Sequence, residues 1–486
     1  MTLRSRVSRL STWATSAAVR TTGYAILFAS ILLPSEGLAQ SGGESESRAN
    51  IVVIVADDLG YGETGMMGNA EIPTPNIDSL AADGIRCTAG YVTASYCSPS
   101  RAGILTGRYQ SRFGYDINPT GKRNLLAQAG LPETETTFVQ RIAEADYATG
   151  LVGKWHLGAS PAKHPLKRGF QEFYGFLHEG HFYVPGPPYE NVLTMIRDTS
   201  LGEGKRQRVG DVIRGNYARM SEPAYDADNP MLRGTQEIVE NDYLTDAISE
   251  EAVQFINDHA ADPFLLMVSY NAVHSPMQAR KDDVQRFRRI ADVQRRIFAA
   301  MLVALDRGVG RVRQAIEENS LSRRTLIVFV SDNGGPTAEL TSSNAPLRGG
   351  KGTLYEGGIR VPMVWTMPGR LPAGRVEDRP VLSLDIAATA LHLAGVSADA
   401  VGDGQNLFDW INDGSRDHPH ENLYWRMPGG RMALRSGNWK IVRPAKNQPI
   451  ELYHLAGDIA EKRNLAVEYP DRLGQLINQW KSMDAE

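Results

Sequence analysis

Ile51-Val52-Val53-Ile54-Val55, followed at once by Ala56-Asp57-Asp58, is the stretch that decides the fold class. A continuous β-branched run without polar alternation is the pattern of a strand buried on both faces. Residues 325–330 (TLIVFV) repeat it, and Phe264–Val268 and Val361–Trp365 are weaker versions. Helical periodicities lie between them, over 137–145, 244–259 and 291–318. Buried strands alternating with amphipathic helices predict an α/β fold, a large and mainly parallel (mixed) sheet sandwiched by helices. A helix over 383–393 closes this domain, which spans residues 50–400. Beyond it, short segments at 422–426, 431–435, 439–443 and 451–455 are separated by Gly429-Gly430 and Ser436-Gly437. They predict an antiparallel sheet, and with a terminal helix over 470–483 they form a smaller C-terminal α+β subdomain, residues 401–486. The stretch 180–240 is rich in Pro, Gly, Tyr and charge and lacks clear periodicity. It reads as a loop insertion over the sheet edge, of the kind that shapes a substrate pocket.

The composition narrows the function classes. Of 486 residues, 42% are hydrophobic and 22% charged, which excludes a disordered chain, a collagen-like repeat and a polytopic membrane protein. Lys and Arg number 52 against 56 Asp and Glu, so no basic excess points to a nucleic-acid partner. Residues 1–39 read as a signal peptide: Arg4, Arg6, Arg9 and Arg20, then the apolar run Tyr24–Leu33, then Gly37-Leu38-Ala39 as a cleavage site. The apolar run is shorter than the roughly 20 residues a membrane span needs, so no integral span is expected after its removal. Residues 40–49 read as a polar linker. The mature chain is expected to be exported, periplasmic or secreted. Its two cysteines, Cys87 and Cys97, exclude a disulfide scaffold and a multi-cysteine zinc module.

Two of the strand-like runs end in hard oxygen ligands, Asp57-Asp58 and Asp332-Asn333. Ligands of open α/β sheets collect beyond the carboxyl ends of the strands. Three carboxylates and an amide there suit Ca²⁺ first and Mg²⁺ second, although an Asp-Asp pair after a strand also serves as a helix cap or turn former. In Cys97-Ser-Pro-Ser-Arg101, Pro99 marks the start of a helix, so Cys97 sits at its N-terminus with Arg101 one turn on. The residues alone leave a Cys87–Cys97 disulfide and an ordinary buried thiol open.

The segment C-S-P-S-R-A-G-I-L-T-G-R at 97–108 resembles the signature of the formylglycine-dependent sulfatases of the alkaline phosphatase superfamily. Further family-like blocks stand in order along the chain: V-A-D-D-L-G-Y-G at 55–62 before it, then G-K-W-H-L-G at 153–158, S-D-N-G-G at 331–335, and L-R-G-G-K-G-T-L-Y-E-G-G-I-R-V-P at 347–362. E-L-Y-H-L-A-G-D-I-A-E-K-R-N-L at 451–465 completes them, so the resemblance covers the chain from about residue 50 except the insertion. The texture is closest to arylsulfatase A-like and N-acetylgalactosamine-6-sulfatase-like members. The resemblance implies that a separate maturation enzyme converts Cys97 to Cα-formylglycine. Its hydrate would attack a sulfate ester, form a covalent sulfo-enzyme and expel sulfate with help from His156. It further implies that Arg101 and Lys154 hold the diol and that Asp57, Asp58, Asp332 and Asn333 bind Ca²⁺, with Asp332 also the activating base. His274 would contact sulfate and protonate the leaving oxygen, and Lys351 would neutralise charge on it. Three carboxylates against Ca²⁺, Arg101, Lys154 and Lys351 sum formally to about +2, suited to a sulfate monoanion.

The expected substrate is a sulfated small molecule or oligosaccharide. His164, His178, His181 and Arg168 read as surface polar residues rather than a sugar subsite. Tyr174, Phe176, Phe182 and Tyr183 offer either a stacking platform or core. Two other activities fit the same fold: a phosphonate or phosphate monoester hydrolase, and a non-catalytic calcium-dependent glycan binder.

Overall fold

The computed structural model describes residues 48–218, 220–397, 402–412 and 418–485. The proposed leader and most of the linker lie outside the described residues, as does the proposed boundary at residue 400. Asn50–Ala56 forms the centre of a ten-stranded sheet. It pairs in parallel with Phe264–Ser269 on one side and Thr325–Ser331 on the other. Ala148–Lys154 and Glu172–Phe176 extend the parallel part. Met363–Thr366 and Ile85–Cys87 continue the far side antiparallel, making the sheet mixed.

The uniform hydrophobicity of the central strands follows from two buried faces. Val52, Ile54, Leu266, Val268, Ile327 and Phe329 pack on the helices Pro75–Ala82, Leu244–Asp258 and Val293–Glu318. The alternate residues Ile51, Val53, Val55, Leu265, Val328 and Val330 face the helices Cys97–Thr106, Phe138–Ala143 and Asp385–Leu393. Side chains alternate along a strand, so covering both faces removes the polar half of the usual pattern. Among the described residues, no helix is long and apolar enough to cross a membrane.

The 180–240 stretch departs from its reading as loop. Val192–Arg197, Arg206–Val209 and Val212–Gly215 join Met277–Arg280 in a separate four-stranded sheet. Met231–Arg233 and Gln236–Ile238 add two short strands to the edge of the main sheet. Two features hid them. Arg206–Val209 is exposed throughout and carries no apolar alternation, and Val192–Arg197 completes its pairing with Met277–Arg280, far along the chain.

Asn422–Met427, Arg431–Ser436, Trp439–Arg443 and Glu451–His454 form the antiparallel meander. One face, with Met432, Leu434, Ile441 and Leu452, packs on Leu476 of the terminal helix Pro470–Ala485. The other, with Leu423, Trp425, Ala433 and Val442, packs on Tyr91, Ile359, Leu382 and Leu384 of the main body. A fully buried charge cluster crosses this second interface: Lys440 Nζ lies 2.8 Å from Glu356 and 2.9 Å from Glu461. Burial would raise Glu356, but Lys440, Arg360 and Arg435 overcome it and hold its carboxyl at about 2. Removing the ammonium leaves two carboxylates buried without it. Lys440→Met is expected to destabilise the protein by about 3–5 kcal/mol, read as a lowered urea unfolding midpoint.

Candidate active site

Two parallel strands in register, Val55 opposite Val330 and Ala56 opposite Ser331, deliver Asp57-Asp58 and Asp332-Asn333 to the same sheet edge. The Asp58 amide donates to Asp332 Oδ1 at 3.2 Å, locking the two turns together. The helix Cys97–Thr106 starts over this edge, every one of its residues buried, and Gly107 ends it with φ 66°. Ligand atoms of Asp57, Asp58, Asp332 and Cys97 all lie within 4.8 Å of one another.

Each carboxylate has its own cationic neighbour. Lys154 Nζ is 2.6 Å from Asp57, Arg101 Nε is 2.8 Å from Asp332, and Lys351 Nζ is 2.8 Å from Asp58. Arg101 also donates to Ser269 Oγ and the Lys154 carbonyl, while its Nη2 is buried with no hydrogen-bond partner. This pairing does not fully offset the crowding. Burial, then the charge of Asp57, push Asp332 up to about 6 despite Arg101. Burial also raises Asp58, but Lys351 and the Asn333 amide help bring it down to about 2. Asn333 Nδ2 donates to Asp58 Oδ1 at 2.7 Å and to the Gly334 carbonyl, leaving its buried Oδ1 without a donor. An orphaned amide oxygen beside three crowded carboxylates fits a hard divalent cation.

The two site histidines are neutral and differently turned. His156 shares Nε2 with the Pro119 carbonyl at 2.8 Å; a carbonyl only accepts, so Nε2 carries the proton. Its Nδ1 is a buried lone pair with no partner, and burial and Lys154 hold the ring well below the usual histidine range. His274 donates Nδ1–H to the Ser275 carbonyl at 2.6 Å and turns Nε2 to Asp58 at 3.6 Å. Burial, then Lys351, bring His274 down to about 3.

Cys97 Sγ lies 3.5 Å from Asp57 Oδ1 and 4.0 Å from Asp58 Oδ1. Burial, then Asp332, raise its thiol well above the ordinary range. A thiol kept neutral among carboxylates is a poor nucleophile as it stands. All ten residues expected at the site therefore come together at one place.

Residues 49–396 match the Sulfatase family, and residues 350–482 match the family described as N-sulphoglucosamine sulphohydrolase, C-terminal. The chain belongs to the sulfatase family. It is a sulfuric ester hydrolase of the alkaline phosphatase superfamily. It is 34% identical to human (Homo sapiens) arylsulfatase D over 425 residues, covering 78% of this chain and 70% of that protein. It is 31% identical to the N-acetylgalactosamine-6-sulfatase of Canis lupus familiaris, covering 86% and 75%. The solved structure of Ps i-CgsB in complex with k-i-k-neocarrahexaose superposes with a TM-score of 0.78 at 34% identity, covering 90% of this sulfatase and 93% of that chain.

Asn118 and Pro119, which support the sulfatase site, escaped the sequence reading, and Tyr183 was read only as stacking platform or core. Asn118 Oδ1 accepts the Ser98 amide at 3.0 Å, the Pro119 carbonyl fixes His156, and Tyr183 Oη bonds the carbonyls of Asn271 and His274. None lies in a family-like block, and only distant chain pairing brings them in. His164, His178 and Arg168 are buried rather than on the surface; Arg168, for example, donates to the Pro132 carbonyl. Tyr174, Phe176 and Tyr183 are core, leaving Phe182 half-buried and stacked on Tyr189 at 5.0 Å.

Cys87 and Cys97 are both free. Burial, then Glu377, push the Cys87 thiol up. Cys87 is expected to resist iodoacetamide in the native protein and to be alkylated only after denaturation, as read by peptide mass spectrometry.

Proposed function

We propose that this sulfatase removes a sulfate monoester from a sulfated carbohydrate, using a nucleophile made from Cys97 and a Ca²⁺ ion at Asp57, Asp58, Asp332 and Asn333. The observation that carries the reading is the setting of Cys97: a protonated thiol at a helix N-terminus, ringed by carboxylates that each hold a cation. Converted to Cα-formylglycine and hydrated, position 97 would supply one hydroxyl to attack sulfur, displacing the alcohol, and a second whose deprotonation expels sulfate and regenerates the aldehyde. Ca²⁺ held by these residues would supply positive charge beside the nucleophile and the sulfate. Four protein oxygens favour Ca²⁺ over the more heavily hydrated Mg²⁺.

The chain's own groups do the rest. Arg101, through its Nη2, which makes no hydrogen bond and lies 3.9 Å from Asp57, and Lys154 hold the group at position 97. Asp332 is the base for attack, and His156 Nδ1 receives the geminal proton because its Nε2 is committed to Pro119. Lys351, whose Nζ is 2.8 Å from Asp58, neutralises negative charge growing on the leaving oxygen. An incoming sulfate adds negative charge beside His274 Nε2, favouring the imidazolium that can protonate that oxygen.

The carbohydrate assignment is supported by the neocarrahexaose bound in Ps i-CgsB and by the sugar in the name of the N-acetylgalactosamine-6-sulfatase. Export by the 1–39 leader, maturation by a separate enzyme, and the division at residue 400 belong to the same proposal.

Peptide mass spectrometry of active protein is expected to find formylglycine at position 97; unmodified cysteine there would overturn the mechanism. Cys97→Ala should lower kcat by about 10⁴-fold or more. Faster hydrolysis of phosphate or phosphonate monoesters across several leaving groups would instead assign the alternative activity. Binding of sulfated glycans without sulfate release would assign the glycan binder.

Chelation with EGTA should abolish turnover, with Ca²⁺ restoring it better than Mg²⁺. It should also lower the unfolding temperature, since a ligand at a hundredfold excess over its Kd stabilises by about 2.7 kcal/mol.

A further inference from the structure

We propose that the C-terminal sheet sets the position of Lys351, with Arg431 as the positioning residue. This rests on the reading of Lys351 as the group that neutralises the leaving oxygen.

Lys351 lies outside helix and strand, between Gly349 and Gly352, whose φ angles of 78° and 82° are left-handed. No strand ladder holds the segment; a single turn closes around Lys351, the Thr353 amide donating to the Gly350 carbonyl at 3.0 Å. At Lys351 itself the amide donates to the Gly335 carbonyl at a long 3.4 Å. The fixed points are its neighbours. Arg431, at the start of the strand Arg431–Ser436, donates Nη1 to the Gly352 carbonyl at 2.9 Å and Nε to the Pro428 carbonyl at 3.1 Å. The Gly352 amide donates at 2.9 Å to the carbonyl of Ser95, two residues before Cys97. A Cβ at position 352 would meet Tyr96 Oη at 2.7 Å, so glycine permits this close approach.

The same sheet and the turn after it hold both flanks. Arg348 Nη1 donates to Tyr453 Oη and the Glu461 carbonyl, each at 2.9 Å. The Glu356 amide donates to Glu461 Oε2 at 2.7 Å. The peptide after Lys351 is thus clamped between the Cys97 segment and the C-terminal sheet. With its backbone fixed, the flexible lysine can keep Nζ 2.8 Å from Asp58. Arg431 touches none of the reacting groups, so its effect passes through Gly352 to Lys351.

The test compares wild type, R431M, R431K, K351A and R431M/K351A, matched for formylglycine content and Ca²⁺. Each is assayed on a series of sulfate esters running from nitrophenols to phenol and an aliphatic alcohol. R431M should lower kcat by about 10- to 100-fold for the poorest leaving groups and by less than about threefold for the best. KM should change little, R431K should recover part of the loss, and R431M should add nothing in the K351A background. Equal losses for all leaving groups, or a full R431M loss on top of K351A, would overturn the proposal. If K351A itself shows no leaving-group dependence, the role given to Lys351 fails and this inference with it. Normal K351A behaviour with a silent R431M sinks the inference alone. Should R431M not fold, R431Q gives the same comparison at this half-buried position.

Discussion

Three carboxylates buried side by side set the terms for the rest of this structure. Asp57, Asp58 and Asp332 are fully buried, and like charges in a low-dielectric interior repel strongly unless compensated. Compensation comes from parts of the chain that are far apart in sequence. Arg101 comes from the helix behind Cys97, Lys154 from the end of a neighbouring strand, and Lys351 from a loop near the C-terminal sheet. The register of the sheet and the assembly of the site are therefore coupled. The pairing of Asn50–Ala56 with Thr325–Ser331 creates the repulsion, and the surrounding elements are held in place partly by relieving it.

The same logic explains why two segments that look peripheral matter to the centre. The inserted sheet sends Arg197 into a buried cluster with Glu222, Tyr225, Glu339 and Ser275. Ser275 is the residue whose carbonyl fixes the His274 tautomer. The C-terminal sheet reaches the opposite side of the site through Arg431 and the Lys440 cluster. Both groups proposed to act on the leaving oxygen, His274 and Lys351, are thus braced by structure outside the central sheet.

The sequence was most legible where local pattern and fold agree. Unbroken β-branched runs gave the central strands, and glycine-punctuated segments gave the meander within a residue or two at each end. Nine of the ten candidate site residues sit in the family-like blocks, which carry weight as an ordered set rather than one residue at a time; His274 lies outside them. What was not legible depends on long-range contacts. Arg206–Val209 is a strand by virtue of its neighbour Val212–Gly215, and no face of it is buried. Asn118 and Pro119 act through a side-chain oxygen and a carbonyl whose partners lie elsewhere in the chain. Buried His164, His178 and Arg168 look like surface residues until the fold closes over them.

Two site residues break a local rule. Asp58 and His156 have φ of 63° and 58°, a left-handed conformation uncommon outside glycine, which Asn, Asp and His adopt more readily than other side chains. Their backbone groups are tied down on both sides. Asp58 donates to Asp332 and accepts from Ser342, while His156 donates to the Leu177 carbonyl and accepts from Ser98. A regular extended or helical backbone at either position would turn the side chain away from its present partners. The carboxylate that meets Lys351 and the imidazole that presents a free Nδ1 are thus placed by an unfavourable torsion held in check by four hydrogen bonds. Local preference yields where the chemistry requires a direction that regular secondary structure does not provide.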